Sequence, residues 1–77
     1  MKSDIEIYKA LLRLEREYQT EADYQCRSGD VQEAAFAEAQ ATGVTEAMIE
    51  LFGWWGQQRL RNQAYDLEAA EGEKANV

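Results

Sequence analysis

Apolar residues recur at helical spacing through the first third of this 77-residue chain. They fall three or four positions apart, which is the spacing of one face of an α-helix: Ile7, Leu11, Leu14, Tyr18 and Ala22. Tyr8 and Leu12 widen this stripe. Ser3 followed by Glu6 forms a capping box ahead of this stripe, and Ser28-Gly29 follows it, where glycine favours helix termination. We therefore predict a first helix over residues 4–27.

An alanine-rich segment follows, and its single large side chain is Phe36. Asp30 and Glu33 repeat the capping pattern in front of it. The next glycine is at Thr42-Gly43, so the pattern predicts a second helix over about residues 31–41 that stops there.

Thr45 is the predicted N-cap of a third helix over about residues 46–71. The tail 73–77 has nothing to bury, and we expect it to fray. Two alternatives stay open: helices 1 and 2 run nearly continuously, or helices 2 and 3 merge, which gives a two-helix hairpin.

These elements predict an all-α fold with one domain over residues 1–72, either a helical hairpin or a three-helix unit. A chain of this size buries only about 60% of its unfolded surface. We therefore expect it to pair with itself into a dimeric helix bundle. The side chains predicted to be buried are Ile7, Leu11, Leu14, Tyr18, Phe36, Met48, Leu51 and Leu60.

The segment 52–56 reads FGWWG and contains both tryptophans of the chain. Successive helical residues point about 100° apart, so the two indoles cannot share one narrow seam. Gly53 and Gly56 would share a face and form a notch for a partner backbone. The alternative is a kink that folds both indoles into the core. We favour an interface, because Trp and Tyr are the anchors that dominate binding energy at protein contacts. The predicted partner-binding residues are Phe52, Trp54, Trp55, Arg59 and Arg61.

The formal net charge is −7, and the acidity is concentrated in residues 19–52, where Arg27 is the only basic residue. This charge argues against binding to nucleic acid or to anionic lipid. Four carboxylates form a candidate acidic face: Glu33, Glu38, Glu46 and Glu50. Such a face either keeps the protein soluble or binds a basic partner, as in an inhibitor that imitates DNA.

Several classes of site lack their residues. With one cysteine and no histidine, the chain cannot form an internal disulfide or an ordinary zinc site. Cys26 has no histidine as a base, so we predict a buried, unreactive thiol. No cofactor fingerprint occurs, and we predict a non-enzymatic protein without metal or cofactor. No membrane-spanning run or export signal is evident, which predicts a cytoplasmic protein.

Residues 39–49 place Ala39, Gly43, Val44 and Ile49 at the spacing found in the helix-turn-helix units of bacterial regulators, which this segment resembles. The resemblance implies two helices joined by a glycine turn and a DNA-binding regulator. Glu38 and Thr42 depart from its apolar positions. The recognition helix would carry acidic residues and no basic ones, which opposes phosphate contact.

The leading functional hypothesis is a small protein-interaction module. It would act as a regulator or inhibitor that masks a surface of a partner protein through the aromatic residues, like the small proteins that phages direct against host machinery. The acidic DNA mimic is the alternative hypothesis, and the helix-turn-helix regulator is the second alternative.

Overall fold

The computed structural model describes residues 1–75, and nearly all of them are helical. Helix α1 spans Asp4–Arg27, and α2 spans Val31–Ala75. The fold is all-α, as predicted, and no strand forms within residues 1–75. Of the tail expected to fray, residues 73–75 continue α2, whereas Asn76 and Val77 lie outside the described residues.

Local caps set both ends of α1. At its start the Ser3 hydroxyl oxygen accepts the backbone N–H of Glu6 at 3.4 Å. At its end Gly29 has φ 87°. The Gly29 N–H donates to the carbonyl of Cys26 at 3.2 Å, and the Asp30 N–H donates to that of Gln25 at 2.9 Å. These two bonds form a Schellman motif, which satisfies carbonyls that the helix end leaves free.

Helix α2 does not stop at Thr42-Gly43, so the predicted break there is wrong. Gly43 keeps a helical backbone, and its buried neighbours Ala41, Val44 and Met48 continue one face through this region. A mid-helix glycine costs only about 1 kcal/mol relative to alanine, which is less than the burial of that face contributes. Thr45 is consequently a mid-helix residue and does not cap a helix.

The real break in α2 lies ten residues later, at Gly53. Its φ of 74° and ψ of 165° are non-helical and fall in a region that is essentially restricted to glycine. Gly53 divides α2 into segment α2a (residues 31–52) and segment α2b (residues 54–75). Because Gly53 is not helical, it forms no shared notch with Gly56, contrary to expectation.

Segment α2a runs antiparallel to α1. Near its end, the Phe52 ring packs edge-on against that of Tyr8, with centroids 6.0 Å apart. Earlier in α2a, the Thr45 hydroxyl donates to Glu15 of α1. As the residue number rises along one helix, it therefore falls along the other.

Segment α2b runs in the same direction as α1. Gln57 accepts a hydrogen bond from Tyr8 at 3.3 Å, and further along, Glu68 pairs with Arg16 at 2.6 Å. This ion pair lowers the pKa of Glu68. Because α1 contacts both segments of α2, the hairpin has the layout of a three-helix unit.

The core is small and lies where the three segments meet. Its buried members are Tyr8, Leu12, Val44, Met48 and Ala64. Of the side chains predicted to be buried, Met48 is buried, and four are partly buried: Ile7, Leu11, Tyr18 and Leu60. Three predictions are wrong, because Leu14, Phe36 and Leu51 are exposed.

The buried side of α1 is centred on the residues that were expected only to widen the stripe, Tyr8 and Leu12, and Ala22 is buried as predicted. The buried residues of α1 are Tyr8, Leu12, Glu15 and Ala22, because α2a and α2b both pack against that side. Glu15 was not predicted to be buried, since a carboxylate enters a core only with a charged or hydrogen-bonding partner. No helix within residues 1–75 is long and apolar enough to cross a bilayer.

Candidate interaction surface

The interior contains a buried ion pair that joins α1 to α2b. The carboxylate of Glu15 is bound by both terminal nitrogens of Arg61, each at 3.3 Å. The Thr45 hydroxyl donates to the same carboxylate at 2.5 Å. Glu15 is only 3% exposed. One carboxylate therefore connects all three helical segments.

Arg61 is surrounded by further partners. Its guanidinium donates to the Tyr65 hydroxyl at 3.3 Å and lies 6.0 Å from the centroid of the Tyr8 ring. Burial alone would lower the pKa of Arg61, but the hydrogen bonds with Glu15 and Tyr65 outweigh it and raise the pKa above its ordinary value. The structure thus turns the guanidinium of Arg61, predicted as a partner-binding residue, toward Glu15 and leaves its side chain only 22% exposed.

Tyr8 extends this polar interior toward the start of α2b. Its hydroxyl donates to Gln57, a buried side chain that in turn donates to Gln58 at 3.3 Å. Burial raises the pKa of Tyr8, although the charge of Arg61 opposes this. Every buried side-chain polar atom within the described residues has a partner. This network links α1 to both segments of α2 and holds them in register.

The break at Gly53 places two of the predicted aromatic residues on the surface. Trp54 and Trp55 begin α2b and are 54% and 81% exposed, and Leu51 just before the break is 63% exposed. Phe52 instead points inward against Tyr8. We define Leu51, Trp54 and Trp55 as the corner patch. The sequence predicted the tryptophans here, but it did not predict Leu51.

A groove of about 380 Å³ adjoins the corner patch. Leu51, Phe52 and Leu60 supply its apolar wall, and Asp4 and Arg59 supply opposite charges. Arg59 is exposed and forms no ion pair within the described part of the chain. The groove could therefore hold an apolar side chain beside a polar or acidic group.

The four predicted acidic residues are all exposed on α2a, but they do not form a single face. Glu46 and Glu50 are one helical turn apart and share a side. Glu38 lines a different groove, with Asp23 of α1. Glu33 lies in the first turn, where its N–H donates to Asp30 at 3.1 Å. Only Glu46 and Glu50 are therefore near the corner patch along the chain.

The turn between α1 and α2 is a second exposed apolar region. Tyr24, Val31 and Phe36 are each more than half exposed, because only small alanines pack α1 against α2a at this end. Cys26 is exposed there as well. The prediction of a buried thiol is wrong, because Cys26 lies in the last turn of α1, where the small side chains of α2a do not cover it.

No cluster of three or more metal-binding side chains occurs within the described residues. The structure does not contain the turn that the helix-turn-helix resemblance implies, because residues 39–49 form continuous helix. Comparison of the chain with models of protein families, with curated proteins and with solved structures gave no match.

Proposed function

We propose that this protein is a small interaction module that covers a surface of another protein and thereby regulates or inhibits it. The observation that supports this proposal is the corner patch, where two adjacent tryptophans and a leucine lie largely exposed. Tryptophans at the centre of an interface commonly supply most of its binding energy. An exposed apolar patch of this kind on a small domain is characteristic of a binding site.

The groove beside the corner patch supports the same proposal. Large aromatic anchors bind best beside a pocket with one or two polar groups that set orientation. Here Arg59 and Asp4 provide those groups. The module acts without metal or cofactor, in the cytoplasm, and as a homodimer that presents two corner patches. Inhibitors that phages direct against host proteins are one class with this design.

Affinity capture from the native cell tests the proposal, with three variants beside the wild type. Trp54→Ala and Trp55→Ala each remove one indole, and Tyr24→Ala removes an exposed ring at the opposite end. Light scattering on the same samples reports whether the dimer forms and persists.

We expect both tryptophan variants to lose the captured protein and the Tyr24 variant to keep it. Because all three side chains are exposed, each variant should fold. If the tryptophan variants retain the wild-type mass and capture the same proteins, the proposal is wrong.

A DNA-mimic inhibitor is the second candidate function, and one observation favours it. Residues 28–58 contain five carboxylates and no basic residue. Binding through that charge would be lost in high salt, because exposed charges are screened over about 10 Å at 0.1 M salt. Substitution of Glu38 and Glu46 by glutamine would then abolish capture, whereas Trp54→Ala would not. An aromatic interface predicts the reverse.

A further inference from the structure

The outer side of α2a carries an apolar stripe that the rest of the chain leaves exposed. Phe36, Gly43, Ala47 and Leu51 are spaced seven, four and four residues apart, which places them on one helical face. Phe36 and Leu51 are each 63% exposed, and a Cβ on Gly43 would meet nothing within 4 Å. The stripe therefore presents two large side chains, Phe36 and Leu51, with a depression at Gly43 between them. It ends at Leu51, which belongs to the corner patch.

The charges beside the middle of this stripe are negative, and the nearest basic side chain, Arg59, lies beyond its Leu51 end. Glu46 and Glu50 are exposed next to it, and no basic residue occurs between Arg27 and Arg59. A partner surface on this face must therefore supply positive charge around an apolar centre.

A second copy of the chain does not fit this requirement. Segment α2a carries four carboxylates and no basic residue. A second copy placed on this face in either direction therefore brings negative charge and no positive charge. This face is not suited to pair with itself.

We propose that the outer face of α2a binds a basic amphipathic α-helix of the partner protein. The apolar side of that helix lies on Phe36 and Leu51, and its Lys or Arg residues lie over Glu46 and Glu50. Phe36 and Leu51 are fifteen positions apart, or about 22 Å along the helix, so a partner segment of four to five turns spans the site. This inference rests on the proposed function and specifies the class of partner.

The arrangement belongs to a known mode of recognition, in which an amphipathic helix places its apolar side on a complementary surface. An interface of this size is at the small end for protein complexes. We therefore expect a dissociation constant in the range of about 1–100 µM. Binding should weaken as salt rises, because the flanking ion pairs are exposed.

Fluorescence anisotropy with a labelled synthetic helix tests the proposal. The probe is a peptide of about 18 residues, roughly 27 Å of helix, with Leu and Ala on one side and Lys on both flanks. The control peptide has the same composition in scrambled order, so that its charge is equal but its apolar side is lost. Titrations with the intact protein are run at about 50 and 300 mM salt, on either side of the range where screening becomes strong.

Two variants remove the proposed contacts, and one is a charge control. Phe36→Ala removes an exposed anchor, so the fold should persist. Glu46→Gln with Glu50→Gln removes two charges beside the stripe. Asp66→Asn with Glu73→Gln removes two charges from the outer side of α2b, where both residues are exposed, and changes the net charge by the same amount.

We expect saturable binding of the amphipathic peptide and at least tenfold weaker binding of the scrambled one. Phe36→Ala should weaken binding about tenfold, as loss of an anchor does. The Glu46/Glu50 variant should weaken it about fivefold, as loss of two exposed ion pairs does, and the Asp66/Glu73 variant by less than twofold.

The inference is overturned if the peptides bind alike, if the two charge variants bind alike, or if no saturable binding occurs. None of these results bears on the capture experiment with Trp54→Ala and Trp55→Ala. If capture depends on the tryptophans while peptide binding fails, the proposed function stands and only the helix site is wrong.

Discussion

Replacing single glycines in α2 should have opposite effects at positions 43 and 53. Gly43 is exposed within regular helix, and a Cβ there would meet nothing within 4 Å. Gly43→Ala should therefore raise the free energy of unfolding by about 1 kcal/mol, the difference in helix propensity. Gly53 also has open space for a Cβ, but its φ is 74°. The two positions thus differ in backbone conformation and not in packing.

An L-alanine at position 53 must adopt a conformation that costs about 1–3 kcal/mol. Against this cost, alanine reduces the entropy of the unfolded chain, which contributes about 0.4–1 kcal/mol. The net loss for Gly53→Ala is therefore between about 0 and 2.6 kcal/mol, with a central value of about 1.3 kcal/mol. For a domain of this size, 1 kcal/mol corresponds to about 4–8 °C in Tm, so the two variants should melt on opposite sides of the wild type.

Urea and thermal unfolding, followed by circular dichroism and by tryptophan fluorescence, measure both free energies. A third protein carries D-alanine at position 53 and is assembled by ligation at Cys26. A D-residue is relaxed at positive φ, so this protein should be at least as stable as the wild type. If L-alanine stabilises positions 43 and 53 equally, then α2 is straight at Gly53 and the corner patch does not exist as described.

Three further results are expected. Glu15→Ala leaves the partly buried Arg61 without its carboxylate and should lower the free energy of unfolding in urea by up to about 3–5 kcal/mol. Replacing both residues by Leu and Met should recover much of this loss. A cost below about 1 kcal/mol would mean that the pair is solvated. Burial raises the folded-state pKa of Tyr8. The contribution of Tyr8 to stability is therefore complete below its unfolded pKa of about 10 and is lost as pH rises through the folded value. Tyr8→Phe should remove this loss of stability at alkaline pH in thermal melts recorded over a pH series, and an unchanged loss contradicts the assignment. Cys26, being exposed, should react with a thiol reagent as fast in the native protein as in urea, and strong native protection would show that it is covered.

The ends of α1 and the start of α2 could be predicted from the sequence because caps act over a few residues. Ser3 bonds to a backbone N–H three residues away, and Asp30 does the same. At the end of α1, the Gly29 N–H donates to the carbonyl of Cys26, and the Asp30 N–H donates to that of Gln25. All of these bonds join residues at most five positions apart, so local residue types suffice to indicate them.

The break in α2 could not be located from the glycines alone. Gly43 and Gly53 have the same intrinsic preference, and both were candidates for a helix end. The difference is that residues around Gly43 continue a buried face, whereas Gly53 follows Phe52, the last residue of α2a that points inward. The glycine at which α2 breaks therefore depends on the contact of α2 with α1.

Part of the candidate site could be predicted from the sequence, and part of it could not. Two adjacent tryptophans between glycines already indicated a surface for binding, and Trp54 and Trp55 are exposed. The sequence also grouped Arg61 with them, but Arg61 points inward to Glu15, which lies 46 positions earlier in the chain. A charged side chain enters the core only where a distant partner offsets its desolvation. Helical type and capping follow from neighbours along the chain, whereas the buried set depends on residues that only the folded chain brings together.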